Sequence, residues 1–510
     1  MSIEFSKNLG EDNTQLTFSK EELEGLPEDF LSGLKKGEKE GEFIVTLQYP
    51  DLLPVLRMAK KSATRQRMDK ANSSKCQESN TPLLEKTLLL RRERAKLLGY
   101  STHADYILQV RMAKSAANVL NFEKDLAEKL EGHRNKEMQE WLRLKEEEVT
   151  SRGEPFDGAV HSFDWNYLHR ANMENNFQVD NEAIKEYFPM DVVTNGMLGI
   201  YEEILSLKFV EIAEPPVWHE SVRMFAVHDA DTSEFMGHFY LDLFPREGKY
   251  GHAAAFGLLP RYIRKDGSVR HPASAMVANF SKPTETQPSL LKFDEVETYF
   301  HEFGHVMHGL CTQSPYARFS GTSVERDFVE APSQMLENWC YEGEVLRRLS
   351  GHYKDNTQKL PEAMLESLIR ARNADTGLMN SRQIFFGMFD QAIHSSEEDL
   401  IDTAKIYNEF RTKYTGVSAP PETNGAASFG HLMGGYDAQY YGYLYSQVFS
   451  ADMFMQFKQA GVLSKEVGRR YRDIILAPGG TRDSLDSLVE FLGREPRPEP
   501  FLIANGVIKE

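Results

Sequence analysis

Cysteine is nearly absent from this chain. Cys76, Cys311 and Cys340 are the three in 510 residues, and their spacing suits neither a disulfide framework nor a thiolate metal site. No apolar run approaches the ~18–20 residues needed to cross a bilayer. The opening segment MSIEFSKNLGEDNTQ lacks both a basic start with an apolar core and an Arg-rich amphipathic leader. Positive charge is also in deficit. Lys and Arg number 59 against 77 Asp and Glu, a net charge of −18, which argues against sequence-independent binding to phosphate backbones. Internal repeats and low-complexity tracts are missing as well. Together these absences give the expectation of a cytoplasmic protein in a reducing compartment, with neither nucleic acid nor membrane as partner.

What is present is globular. Hydrophobic residues make up 41% and charged residues 27% of the chain, a balance that supports packed cores. Most of the sequence has helical periodicity. Thr87–Gly99 sets leucines on one face and charges on the other. Ser115–Glu148 and Pro361–Thr376 behave alike, with Pro361 suited to a first helical turn and Gly377 read as a stop. Between Val222 and Phe280 the pattern changes to short β-branched and aromatic runs. VRMFAV, EFMGHFYLDLF, HAAAFG and SAMVANF are the expected strands, with turns at Asp229–Ser233, Glu247–Gly251 and Lys265–Gly267. Pro215–Pro216 is read as the boundary that introduces this sheet. Tyr414–Gly435, crowded with Gly, Pro, Ala and Asn, is read as a loop suited to a flap.

The chemistry concentrates in Phe293–Cys311, FDEVETYFHEFGHVMHGLC. Asp294 and Glu297 are the expected helix cap, and Val296, Phe300, Phe303 and Met307 form a buried helical stripe. His301 and His305 lie four residues apart, so they share a face and can converge on one cation at ~2.0–2.1 Å. Glu302 projects ~100° round the helix, within reach of a water on such a metal without ligating it. An amphipathic helix with two satisfied histidines would show the same letters. Gly304 costs ~1 kcal/mol of helix propensity relative to Ala, a cost consistent with close packing.

A metal would need a third protein ligand. His308 shares the face, but three imidazoles from one straight helix do not easily close a compact tetrahedron, so packing is expected of it. Cys311 is read as a half-buried, inert thiol. The remaining candidates are carboxylates in VERDFVEAPSQMLENW: Glu325, Asp327, Glu330 and Glu337. Apolar flanks make an ionised Glu330 costly unless a cation pairs with it, yet an ordinary helix-start acid would look the same. Spacing leaves that contest open. Further on, His431 precedes GGYDAQYYGY, where Tyr436, Tyr440 and Tyr443 fall at i, i+4 and i+7, one face of an expected helix. Such a stripe suits a core; phenols and an imidazole behind a loop also suit oxyanion donors.

Taken together, HEFGHVMH at 301–308, FSGTSVERDFVEAPSQMLENW at 319–339, FGHLMGGYDAQYYGYLYSQVFS at 429–450 and FYLDLFPREGKYGHAA at 239–254 resemble the thimet oligopeptidase and neurolysin family of zinc endopeptidases. The resemblance covers essentially the whole chain. It implies a mostly α fold with a small β-sheet, two-lobed, with a deep substrate channel between the lobes. It further implies one Zn²⁺ per chain held by His301, His305 and Glu330, with Glu302 as general base. His431, Tyr436, Tyr440 and Tyr443 would bind substrate and stabilise the transition state. Residues 1–178 would begin a helical lobe, 179–368 form the zinc-bearing lobe with sheet and HExxH helix, and 369–510 complete the helical lobe with the Gly/Tyr-rich loop. The implied activity is hydrolysis of internal bonds in short unstructured peptides, such as neuropeptides and peptide degradation products, by a monomer. SAMVANF is the expected edge strand for pairing with substrate backbone. Family members carry a further helical stretch ahead of the segment matching the start of this chain. The alternative expectation is therefore a catalytically impaired short form that binds oligopeptides. Cys76, in NSSKCQES, is read as a surface thiol.

Overall fold

The computed structural model describes residues 1–246, 248–283 and 287–509. The protein is mostly helical with small sheets. Eight helices carry the argument: α1 (Gln77–Leu97), α2 (Ala116–Ser151), α3 (Met190–Leu205), α4 (Phe293–Cys311), α5 (Ala331–Glu337), α6 (Thr376–His394), α7 (Thr403–Thr415) and α8 (Gly442–Ala460). The strands of the main sheet are β1 (Leu207–Glu211), β2 (Arg223–Asp229), β3 (Phe235–Asp242), β4 (Ala254–Leu259) and β5 (Ala273–Val277).

These elements form two compact units. One comprises Met1–Phe177 and Ala374–Tyr441, the other Gln178–Asn373 and Gly442–Glu510. The expectation that all of 369–510 completes the helical lobe is corrected here, because Gly442–Glu510 belongs to the unit of the HExxH helix. Aromatic packing gives the reason. Trp339 meets Phe454 and Phe457 of α8, each at 4.8 Å between ring centroids, and its indole N–H donates to the Val462 carbonyl at 2.8 Å.

In the first unit, α1 spans the expected 87–99 segment and starts ten residues earlier. The Ser115 hydroxyl caps α2 by accepting from the Asn118 N–H at 3.2 Å, an N-cap that satisfies an otherwise orphaned donor. Gly377 does not stop a helix. The preceding helix ends at Ala371, and Gly377 is the second residue of α6. The break falls at buried Asp375, which accepts from the Trp141 indole N–H and the Asn172 amide, each at 2.8 Å. At Gly377 a Cβ would lie 2.6 Å from the Arg134 backbone nitrogen, so glycine lets α6 approach α2. A three-stranded sheet of Gln15–Ser19, Lys35–Lys36 and Glu42–Thr46 covers a core around Phe18, Phe43 and Val45; the sequence reading missed it. Cys76 is half-buried, at positive φ, with its thiol donating to the Asn8 carbonyl at 3.3 Å. It is therefore no surface thiol, and burial raises its pKa.

In the second unit the sheet order is β1-β2-β3-β5-β4. β1, β2 and β3 run antiparallel, β5 joins β3 in parallel, and β4 closes antiparallel to β5. All four expected strands are present. β1 was not foreseen, and it places Pro215–Pro216 inside the sheet region, in the connection between β1 and β2, and not at its boundary. SAMVANF is interior, flanked by β3 and β4; the edges among the described residues are β1 and β4. Of the expected turn at 247–251, Glu247 lies outside the described residues, and Gly248–Gly251 are turn and bend.

Helix α4 is held from several sides. Val296, Phe300, Phe303 and Met307 are at most 1% exposed. The Phe303 ring meets Tyr201 of α3 at 4.9 Å, edge to face, and Phe239 of β3 at 5.1 Å. The Tyr201 hydroxyl donates to the Phe300 carbonyl at 2.9 Å. The helix begins at Phe293, and its cap is Glu295, whose carboxylate accepts from the Lys292 N–H at 2.8 Å. Asp294 and Glu297 do not supply it; Glu297 instead accepts from the Tyr341 hydroxyl at 2.6 Å.

On its remaining side α4 meets α5 at Gly304, where a Cβ would lie 2.8 Å from Ser333 Cα. A methyl group there forces the helices apart. Overpacking costs about 1–3 kcal/mol, against about 1 kcal/mol gained in helix propensity. Gly304→Ala is therefore expected to lower stability in thermal or denaturant unfolding. An unchanged or higher midpoint would mean that propensity outweighs the close approach.

Candidate metal centre

Glu330 immediately precedes α5, with Pro332 in the first turn, where a missing N–H costs nothing. The Ser333 hydroxyl donates to the Glu330 carbonyl at 2.9 Å. The close approach at Gly304 brings this helix start alongside the face of α4 that bears the histidines. As a result, one donor atom each from His301, His305 and Glu330 falls within 4.8 Å of the others. Glu330 Oε2 stands 3.1 Å from His305 Nε2 and 3.4 Å from His301 Nε2. The two imidazole rings are 5.0 Å apart and nearly perpendicular, at 85°.

These residues fit a metal ion. Donors at ~2.0–2.1 Å from a tetrahedral centre are themselves about 3.3 Å apart, close to the spacings found. Two imidazoles and one carboxylate are also a donor set suited to zinc. Electrostatics point the same way. Burial works against a charged His301, yet bonds to Glu330 and Glu337 outweigh it and hold the imidazole well above its usual pKa. Burial likewise works against an ionised Glu330, and the two imidazoles outweigh it to hold the carboxyl well below its usual range. The centre thus favours positive charge.

The other candidate ligands lie outside this cluster. His308 is wholly buried, neither ring nitrogen has a hydrogen-bond partner among the described residues, and burial pushes its pKa down to about 3. The Cys311 thiol is buried and pushed up to about 11 by desolvation. Glu325 accepts from the Ser484 hydroxyl at 2.6 Å. Glu337 accepts from His301 Nδ1–H at 2.5 Å, which leaves the Nε2 lone pair directed to the centre. Sequence reasoning held Glu337 only as a rival ligand, although its i+7 spacing from Glu330 already sets both carboxylates on one helical face.

Glu302 is buried, and desolvation raises its pKa, offset by His301, His305 and the nearby Ala255 amide. That amide belongs to edge strand β4, the expected strand HAAAFG. Tyr443 lies in the same unit, as the second residue of α8, and its carbonyl accepts from the Gln334 amide of α5 at 3.2 Å.

His431, Tyr436 and Tyr440 lie in the first unit, on a loop after α7 that includes short 3₁₀ turns. The expected helical face does not form, because α8 begins only at Gly442 and Ala438 has φ 58°. The three side chains nevertheless cluster. His431 packs edge-on against Tyr440 at 5.1 Å and against Tyr436 at 5.6 Å, and the Tyr440 hydroxyl donates to Gln383 at 2.9 Å. Buried Asp390 of α6 pins the loop by accepting from the Ala438 and Tyr440 N–H groups, each at 3.0 Å. His394 Nδ1 lies 2.8 Å from Asp390, and its Nε2 accepts from Arg91 at 3.0 Å. His103, held down to about 4 by burial, meets Asp437 at 2.7 Å.

Comparison with known proteins adds to this geometry. Residues 55–507 match Peptidase family M3. The chain is 44% identical to the thimet-like oligopeptidase of Dictyostelium discoideum, over 99% of this chain and 76% of that one. It is 42% identical to saccharolysin of Saccharomyces cerevisiae, over 99% and 73%. Among solved structures, PZ peptidase A aligns with a TM-score of 0.55 at 13% identity, over 99% of this chain and 74% of that one; that likeness speaks to fold alone.

The contact between His301 and Glu337 generates a measurable expectation. Glu337→Ala should weaken zinc affinity about 10–100-fold, read by competition with a chromogenic chelator, while the chain remains folded by circular dichroism. Unchanged affinity would leave Glu337 with no part in orienting the imidazole.

Proposed function

This chain belongs to peptidase family M3, and from that premise we propose that it is a zinc metalloendopeptidase cleaving internal bonds of short peptides. The observation that carries the proposal is the convergence of His301, His305 and Glu330 beside the buried carboxyl of Glu302. The names of its relatives, thimet-like oligopeptidase and saccharolysin, support oligopeptides, among them neuropeptides and peptide degradation products, as the substrate class.

His301, His305 and Glu330 would hold one zinc ion, which when bound supplies Lewis-acid polarisation of water and of the scissile carbonyl. Glu302 does the proton work. Its desolvated carboxylate takes a proton from the attacking water and afterwards delivers it to the leaving amine. Edge strand β4 replaces SAMVANF as the strand that offers backbone pairing to an extended peptide. Tyr443 would donate its phenol to the oxyanion as charge develops, and His431, Tyr436 and Tyr440 would bind substrate. Among the described residues no helix is long and apolar enough to cross a membrane, and all three cysteines are free. Both facts support a cytoplasmic site of action, and we take the working form to be a monomer.

Turnover of an internally quenched peptide tests this reading. Chelation should abolish cleavage and zinc should restore it. Glu302→Gln should retain zinc and fold while kcat falls about 10²–10⁴-fold. Cleavage that survives Glu302→Gln would remove that residue as base, and a zinc-loaded parent chain that binds peptides without cutting them would overturn the enzyme assignment.

A further inference from the structure

The first unit carries two arginines on neighbouring helices that enter no ion pair among the described residues. Arg382 lies on α6 and Arg411 on α7, two helices packed against each other. Neither side chain donates a hydrogen bond or forms an ion pair among the described residues. Several other arginines of this unit are paired with acids. Arg65 pairs with Asp164 at 2.9 Å, Arg92 with Asp399 at 2.6 Å and Arg91 with Asp437 at 3.4 Å. In a chain where acids outnumber bases 77 to 59, two neighbouring cations in no ion pair among the described residues need a reason.

Their surroundings supply one. Arg382 is exposed and its guanidinium lies 5.6 Å from the Phe386 ring. Phe386 in turn packs on Tyr440 at 5.3 Å and on Phe429 at 4.8 Å, so the arginine stands beside the loop that bears His431 and Tyr436. Half-buried Arg411 follows Tyr407 by one helical turn, on the same face. Phe386 lies 6.5 Å from the Tyr407 ring as well as 5.3 Å from Tyr440, so both arginines belong to one aromatic neighbourhood. Burial raises the Tyr407 phenol, and the charges of both arginines offset it. Desolvation of the guanidinium lowers Arg382 below its usual range, and the charge of Arg411 lowers it further. The carboxyl that both charges reach is Asp69, which is buried, accepts from the Ser162 hydroxyl and pairs with neither. Two like charges held together repel until an anion joins them, and the planar fork of arginine matches a carboxylate bidentately.

We propose that Arg382 and Arg411 form an anion-recognising subsite that takes a carboxylate of the peptide. The proposal rests on the peptide-binding part of the functional reading. An unmodified peptide always carries one such group, its C-terminal carboxylate, and acidic side chains offer the same chemistry. The subsite thereby favours peptides with a carboxylate at a fixed place in the bound chain, whatever their other residues.

The test measures binding of three labelled peptides to the zinc-loaded whole chain carrying Glu302→Gln, so that none is cut. One peptide has a free C-terminus, one is its C-terminal amide, and one is the amide ending in Glu. The free acid should bind about tenfold more tightly than the amide, in line with a charge-assisted hydrogen bond. Arg382→Gln and Arg411→Gln should each weaken the free acid by about that factor and leave the amide unchanged. Recovery of affinity by the terminal Glu would assign the subsite to side-chain carboxylates as well; no recovery would restrict it to the main-chain terminus. Equal binding of acid and amide overturns the proposal without any variant, and so does an equal loss for both peptides in the arginine variants. Turnover by the parent chain, measured in parallel, keeps the two readings apart: discrimination without cleavage contradicts only the peptidase, and cleavage without discrimination contradicts only the subsite.

Discussion

The contact on which this account depends is the near touch of two helices at Gly304 and Ser333. A carboxylate on one helix can join two imidazoles on another only if their backbones approach more closely than side chains allow, and glycine removes the obstacle. The rest of the second unit stabilises that approach. Phe303, Phe300 and Tyr201 fix the far side of α4, Trp339 fixes α5 against α8, and Glu337 holds the His301 ring in one orientation. Burial of apolar surface supplies the driving force, and it also lowers the local dielectric, so that the charges at the centre interact more strongly than they would in water.

The first unit applies a different device to its Gly- and Tyr-rich loop. Such a loop has little regular hydrogen bonding of its own, so it needs acceptors from outside. Asp390 accepts from the Ala438 and Tyr440 N–H groups, the Gln391 amide adds a donor to the Ala438 carbonyl, and the chain of Arg91, His394, His103 and Asp437 compensates the buried charge. The loop is therefore defined by named contacts, although its sequence reads as unstructured.

Much of this was legible in the letters. Period-3.6 and period-2 patterns located α1, α2, α4 and four strands, since each buries one face. HExxH spacing located the two histidines and Glu302. Spacing could not choose Glu330 over its neighbours, because the choice depends on which carboxyl the α4–α5 contact brings forward. β1 was missed because LKFVE is only five residues long and precedes Pro215–Pro216, although it pairs with the next strand, β2. Gly377 misled because a helical glycine can mark either a stop or a close approach, and only the neighbouring backbone of Arg134 decides. Tyr436, Tyr440 and Tyr443 have helical spacing, but left-handed Ala438 interrupts the helix before it begins. Asp390 and the partner role of Glu337 emerge only once distant segments are packed.

The most direct measurement is anomalous scattering across the zinc absorption edge from crystals of the whole chain. The account predicts a single zinc peak bounded by His301 Nε2, His305 Nε2 and the Glu330 carboxylate. A peak at other residues, or none at these three in a preparation that cleaves peptides, would contradict it.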